Sequence, residues 1–203
     1  EAKVSTLADL KPLTLFVSKE GMPTYFQWLK AEFGFSENKV KPYTSNPQPF
    51  LADRNSAMEG YVTSEPFAVE RRAKFAPTVI PLADYGFSSY STLIETRSAF
   101  AEKNPDLVQR FVDASIIGWY NYMYGDNKAA NDFIKKENPD MTDDLIAFSI
   151  KQMKEYGLLV SGDSEKGGIG CFTDARVKDF YEKMVTAKVV KAGLDLSKVY
   201  TTE

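Results

Sequence analysis

Short apolar runs alternate with helix-like segments along the first ninety residues, and this alternation restricts the fold more than any other feature. Each run is too short for a buried helix and suits a strand that is covered on both faces. A repeated strand–helix–strand order favours a parallel or mixed sheet with helices packed against it. The predicted strands are residues 13–17, 39–44, 60–64 and 77–82, and the intervening predicted helices begin near Pro23 and cover residues 49–58 and 65–74.

The second half of the chain is predicted to be almost wholly helical. Apolar side chains recur at helical spacing, and Thr142 and Thr173 are suited to cap helix starts. Residues 90–96 are the one strand candidate there, so the apolar faces of these helices have little sheet to cover. The predicted helices are residues 105–123, 127–137, 142–156 and 173–187.

Two absences in the composition exclude common kinds of site. The 203 residues include no histidine, which excludes imidazole-based catalytic triads and His-ligated metal sites. Cys171 is the only cysteine, so neither an intrachain disulfide nor a thiolate metal cluster can form. The net charge of −3 gives no indication of a nucleic-acid partner, and no apolar run approaches the ~20 residues that span a bilayer.

Three ordered segments resemble one family of transport proteins. They are LADLKPLTLFVSKEGMPTYFQWLKAEFGF (7–35), GYVTSEPF (60–67) and EKNPDLVQRFVDA (102–114). Their order and spacing are similar to those of ABC-transporter substrate-binding proteins of the nitrate/sulfonate/taurine and thiamine-precursor type. The resemblance implies a type II periplasmic-binding-protein-like α/β fold, a two-lobed Venus flytrap that closes on a ligand and delivers it to a membrane permease.

The resemblance also implies a division of the chain. Residues 1–88 would form the second, ligand-binding lobe, with a mixed sheet and flanking helices. Residues 89–203 would supply the crossover strand and the helical C-terminal part of the first lobe. Relatives of this type begin with further residues that form most of the first lobe, and the alignment implies that this chain lacks them. We therefore expect a completing N-terminal segment or a second chain to cover the C-terminal helices.

With the second lobe arranged as the resemblance implies, two loops would face the ligand, at the carboxyl ends of strands where open α/β sheets bind ligands. The first spans residues 19–24, and the second spans residues 63–67, where Ser64 could instead be an ordinary helix cap. Tyr85, Phe87 and Tyr90 could add an aromatic wall. The predicted ligand-binding residues are Glu20, Gly21, Met22, Pro23, Thr24, Thr63, Ser64, Glu65, Phe67 and Tyr90.

The chemistry of the two loops indicates a class of ligand. Each loop carries a carboxylate, Glu20 or Glu65, which accepts hydrogen bonds from amines and repels small anions. This favours a nitrogenous or aromatic compound, such as a thiamine-precursor pyrimidine, with no cofactor and no metal. The alternatives are nitrate, sulfonate or taurine binding in the same fold, an enzyme similar to thiamine-pyrimidine synthases, and a helical interaction module completed by a partner. The enzyme is disfavoured because those synthases depend on a histidine. The expected location is periplasmic or extracellular.

Overall fold

The computed structural model of the protein describes residues 3–201. The described residues form two compact units. The first unit takes the described residues of 1–89 together with those of 173–203, and the second unit takes residues 90–172. The chain therefore leaves the first unit once and returns to it with its last helix.

The first unit contains a small parallel sheet with helices between its strands. Strand β1 lies in the centre, with Leu15 opposite Val40 of one neighbour and opposite Ala57 of the other. Both pairings are parallel, so within the described residues the sheet is parallel and not mixed. The strands are β1 Thr14–Val17, β2 Val40–Pro42 and β3 Ser56–Met58, and the helices of this unit are α1 Tyr25–Phe33, α2 Gln48–Ala52, α3 Glu65–Ala73 and, after the second unit, α9 Asp174–Thr186.

Helix α1 forms where its apolar spacing predicts and ends where the backbone requires glycine. Phe26 and Leu29 lie on one face and are buried, and Trp28 beside them is only 1% exposed. Gly34 follows in the left-handed region at φ 68°, and its N–H donates to the carbonyls of Leu29 and Lys30. The predicted helix after Pro23 and its stop at Gly34 are confirmed, and the helix places its apolar face on the sheet.

The core of the first unit joins the sheet, α1 and α9. Trp28 contacts Phe33 and Phe87, each at a ring-centroid distance of 5.1 Å, and Phe87 packs edge-on against Phe180 of α9 at 5.2 Å. Helix α9 is predicted over residues 173–187 and confirmed, with Thr173 accepting from the Arg176 N–H. Buried around these rings are Leu7, Leu13, Leu15, Val17, Phe26, Leu29, Phe35, Met184 and Ala187.

The predicted strand at residues 60–64 is wrong by a short shift along the chain. The strand is Ser56–Met58, and the helix predicted over residues 49–58 is confined to Gln48–Ala52. Residues 61–65 form a turn instead, closed by the Ser64 N–H donating to the Tyr61 carbonyl at 3.0 Å. Tyr61 is 71% exposed, so it is not the buried strand residue that the apolar pattern indicated.

Two further predicted strands are absent from the described residues. Residues 77–82 pair with no strand, and a short 3-10 helix, Leu82–Tyr85, begins inside them. Pro77 and Pro81 lack the N–H that a ladder needs, which explains this result. Residues 90–96, the predicted crossover strand, are irregular and almost entirely exposed, with no partner strand in the described part of the chain.

The second unit is helical. Its predicted helices over residues 105–123, 127–137 and 142–156 are confirmed to within two residues at each end. Thr142 caps the third of them by accepting from the Leu145 N–H at 3.3 Å. The helices are α4 Ser98–Lys103, α5 Pro105–Tyr124, α6 Lys128–Glu137, α7 Asp143–Glu155 and α8 Ser164–Gly167.

Few apolar side chains of the second unit are buried, and many are exposed. Met123, Ile146 and Ile169 are its buried apolar residues. Among the described residues, no helix is long and apolar enough to cross a membrane. The exposed large apolar side chains of this unit are Leu93, Ile94, Phe100, Leu107, Phe111, Ile117, Trp119, Tyr120, Tyr124, Phe133, Tyr156, Leu158 and Val160.

Candidate functional site

Three loops of the first unit leave the sheet at the same edge. Ser18 follows β1, Tyr43 follows β2 and Glu59 follows β3. Backbone hydrogen bonds extend the strand pairing to these residues, since the Tyr43 N–H donates to the Val17 carbonyl at 2.9 Å and the Glu59 N–H to the Phe16 carbonyl at 3.0 Å. Because the strands are parallel, all three loops start at the carboxyl edge, where α/β sheets bind ligands.

The first predicted loop is a closed turn that leads into α1. The Ser18 hydroxyl accepts from the Gly21 N–H at 2.9 Å, and the Met22 N–H donates to the Ser18 carbonyl at 3.1 Å. The Thr24 hydroxyl donates to the Glu20 carbonyl at 2.8 Å, so this predicted ligand residue also holds the turn. Met22 is half-buried against the core, whereas Glu20, Pro23 and Thr24 are exposed.

Gly21 is the tightest point of this loop. A Cβ built there would lie 2.4 Å from Cε1 of Tyr25 and 2.6 Å from Oε2 of Glu59. Those two side chains are bonded to each other, because the Tyr25 hydroxyl donates to Glu59 Oε2 at 2.6 Å. A side chain at position 21 would therefore have to separate this pair.

Replacing Gly21 with alanine is expected to destabilise the protein by about 1–3 kcal/mol, since the added methyl group overpacks the loop. Gly118 is a matched control, because it lies in the middle of α5 with nothing within 4 Å of a built Cβ. Gly118→Ala is expected to raise stability by about 0.5–1 kcal/mol through helix propensity. Urea unfolding followed by far-UV circular dichroism measures both, and equal effects of the two changes would contradict the close approach at Gly21.

The second predicted loop is organised by the Glu65 carboxylate. Oε2 accepts from the Tyr61 N–H at 2.8 Å and from the Ser64 hydroxyl, and Oε1 accepts from the Tyr43 hydroxyl at 3.1 Å. Ser64 therefore donates to Glu65 and does not cap α3, although the sequence allowed that role. Glu65 fastens its own turn to the loop after β2, so its two oxygens are already occupied by protein donors.

The remaining predicted residues of this loop are Thr63 and Phe67. Both are half-buried, and the guanidinium carbon of Arg71 lies 5.4 Å from the centroid of the Phe67 ring. The structure thus brings residues 20–24 and 63–67 to loops that start at one edge of the sheet.

The sequence did not identify Glu59 as a site residue. Its Oε2 accepts from the Ser18 N–H at 2.9 Å as well as from the Tyr25 hydroxyl. This single carboxylate therefore connects the loop after β3 to the loop after β1. Its position directly after a strand would have indicated it, but the strand was placed four residues too late.

Two half-buried phenols donate to these carboxylates. Burial raises the pKa of Tyr25, and the hydrogen bond to Glu59 and its negative charge raise this pKa further. Burial also raises the pKa of Tyr43, with a further contribution from the charge of Glu65. Both hydroxyls therefore keep their protons near neutral pH and remain hydrogen-bond donors.

The three residues of the predicted aromatic wall have separate surroundings in the structure. The Tyr85 hydroxyl accepts from the Leu7 N–H at 3.1 Å, and Phe87 packs in the core against Trp28. Tyr90 belongs to the second unit, where its ring lies 4.9 Å from that of Phe172 and its hydroxyl donates to Asp163. The place of Tyr90 in a ligand site stays a prediction.

The described residues contain no group of three or more Cys, Asp or Glu side chains that could hold a metal ion. The Cys171 thiol is half-buried and donates to the Phe172 carbonyl at 3.5 Å. The candidate site consists of the carboxylates of Glu59 and Glu65, the phenols of Tyr25 and Tyr43, and backbone groups.

Comparison with known proteins identifies the family. A family model described as NMT1/THI5 like matches residues 1–130, which include β1, β2, β3 and both predicted loops. No curated protein and no solved structure matches the chain. Because the family model covers more than half of the 203 residues, the chain belongs to the NMT1/THI5-like family.

Proposed function

We propose that the protein is the solute-binding component of an ABC import system and captures a small organic ligand. Membership of the NMT1/THI5-like family supports a solute-binding role. The observation that carries the proposal is the convergence of the loops after β1, β2 and β3 at the carboxyl edge of one parallel sheet. Such an edge is where a ligand can contact several loops at once.

The ligand that this edge favours is nitrogenous, with a thiamine-precursor pyrimidine as an example. Glu59 lies in the loop after β3 and Glu65 is the first residue of α3, and neither forms an ion pair with any described residue. Unpaired carboxylates attract amino groups and disfavour anions. Nitrate, sulfonate or taurine remains the second candidate class, because Lys19 in the turn before α1 is an exposed cation.

The proposal also covers the fold, the partner and the location of the protein. We place the site in an interlobe cleft of a type II periplasmic-binding-protein-like fold, with the first unit as the ligand-binding lobe, because α9 packs in one core with residues of 1–89. The partner is a membrane permease, and the location is periplasmic or extracellular. A completing N-terminal segment or second chain would cover the exposed apolar side chains of the second unit.

Binding without turnover is part of the proposal. The chain has no histidine, and the hydroxyls of Tyr25 and Tyr43 are held as donors to carboxylates, which makes them poor nucleophiles. No cofactor is needed for capture and release of a ligand.

Calorimetric titration of the purified chain tests the proposed function. We expect saturable binding of 4-amino-5-hydroxymethyl-2-methylpyrimidine, with taurine and nitrate binding more weakly. Mass spectrometry of the recovered ligand should show it chemically unchanged. Conversion of the pyrimidine would favour the enzyme alternative, and tight binding of taurine alone would favour the anion-binding alternative.

A further inference from the structure

The carboxylates near the two loops differ in how many of their oxygens already accept hydrogen bonds from protein donors. Glu20 is exposed and its carboxylate has no fixed partner in the described part of the chain. Glu65 has both oxygens occupied, by Tyr43 on one and by Tyr61 and Ser64 on the other. Glu59 is intermediate, since Oε2 accepts two hydrogen bonds and no described residue donates to Oε1.

Glu59 is therefore held in place while one of its oxygens stays available. The Ser18 N–H and the Tyr25 hydroxyl fix Oε2 at 2.9 Å and 2.6 Å, and Gly21 packs against the same oxygen. Both partners are uncharged donors, so the negative charge is not neutralised by a cation. A fixed acceptor loses little conformational freedom when a ligand donor reaches it.

The burial of Glu59 adds to this argument. Glu59 is half-buried as a residue, whereas Glu20 is exposed. An acceptor that is partly withdrawn from water and lacks a protein donor gains most from a donor that the ligand supplies. A carboxylate, sulfonate or nitrate group would instead meet like charge at this position.

We propose that Glu59 is a specificity-determining residue, whose Oε1 accepts a hydrogen bond from an N–H donor of the ligand. The chemical class selected is a neutral amino-substituted heterocycle or a cationic amine or amidine. This inference rests on the proposed function, because it concerns the same sheet edge. It differs from the sequence-based expectation, which assigned the selecting carboxylates to Glu20 and Glu65.

The variant Glu59→Gln separates selection from support of the loop. The glutamine carbonyl can still accept from Ser18 and Tyr25, while its amide group replaces Oε1 by a donor. We expect binding of 4-amino-5-hydroxymethyl-2-methylpyrimidine to weaken by about tenfold or more, because a charge-assisted hydrogen bond is lost. Taurine binding should be unchanged or stronger, so the ratio of the two affinities is the readout.

Glu70→Gln is the matched control, since it makes the same chemical change in an exposed carboxylate of α3 that lies outside both predicted loops. It should shift the affinity ratio by less than about threefold, because a surface substitution away from the site has little effect. Glu59→Asp keeps the charge and withdraws it by one methylene group, and it should also weaken pyrimidine binding. This variant keeps the test decisive if Glu59→Gln fails to fold.

The outcomes distinguish the inference from the proposed function. If wild-type protein binds the pyrimidine and the variants at position 59 bind it more weakly, both the inference and the proposed function are supported. Pyrimidine binding that is unaffected by both Glu59 variants overturns the inference and leaves the proposed function standing. Wild-type protein that binds taurine but not the pyrimidine also overturns the inference, whereas binding of neither compound overturns both.

Discussion

Replacing Trp28 with alanine is expected to lower the free energy of unfolding by about 3–5 kcal/mol. The indole is 1% exposed and contacts Phe33 of α1 and Phe87, which in turn packs on α9. Its removal would leave a cavity where the sheet, α1 and the returning helix meet. Since domains are stable by about 5–15 kcal/mol, a large part of the stability of the first unit would be lost. Urea unfolding followed by far-UV circular dichroism measures the change.

Trp119 provides the matched control, because it is the only other tryptophan and is 40% exposed. Trp119→Ala makes the same truncation at a surface position of α5, where it contacts Tyr122 at a centroid distance of 6.0 Å. The expected cost is about 1 kcal/mol or less. If the two variants lose similar amounts of unfolding free energy, the burial of Trp28 does not account for its contribution to stability.

Local chemistry explains why the helices were predicted well. Thr142 and Thr173 accept hydrogen bonds from the N–H groups three residues ahead, and Gly34 adopts the positive φ that ends a helix. Each of these signals lies within a few residues of the boundary it sets. The sequence therefore contains them without knowledge of the tertiary fold.

Strand positions depend on partners that are distant in sequence. The predicted strands at residues 13–17 and 39–44 are confirmed, whereas those at residues 60–64, 77–82 and 90–96 are wrong. Ser56–Met58 is short and half-buried, and it is a strand because it pairs with β1 some forty residues earlier. The more apolar residues after Gly60 form a turn whose shape depends on the Glu65 carboxylate. The apolar pattern favoured residues 60–64, because a pattern within one segment carries no information on which segments pair in the sheet.

The candidate site was predictable to the level of its loops but not of its contacts. The family resemblance, together with the rule that ligands bind at carboxyl ends of strands, led to residues 19–24 and 63–67. The bonds that organise the site join Tyr25 to Glu59 and Tyr43 to Glu65, across 34 and 22 residues of sequence. No local motif indicates such pairs, and Glu59 was overlooked because the strand before it was predicted four residues too late.

The isolated chain is expected to self-associate through the exposed apolar side chains of the second unit. Leu107 and Phe111 lie one helical turn apart on α5 and are 47% and 59% exposed. Apolar surface left in water costs about 25 cal/mol per Å², so a few hundred Å² amounts to several kcal/mol. Surfaces of this kind on a soluble protein mark an interaction site or a tendency to aggregate.

Replacing Leu107 and Phe111 together with lysine should reduce this association, because a second copy would then bury two charges on the same face of α5. Light scattering after size-exclusion chromatography should show a higher apparent mass for wild type and a mass near the monomer for the double variant. Gln109→Lys with Asn121→Lys is the matched control, since both residues are exposed polar positions of α5 and the added charge is the same. If the wild type is monomeric at every concentration, or if the two double variants behave alike, the apolar side chains of α5 do not drive association. In that case the expectation that further protein covers the second unit loses its physical basis, because exposure at these positions would carry no measurable cost.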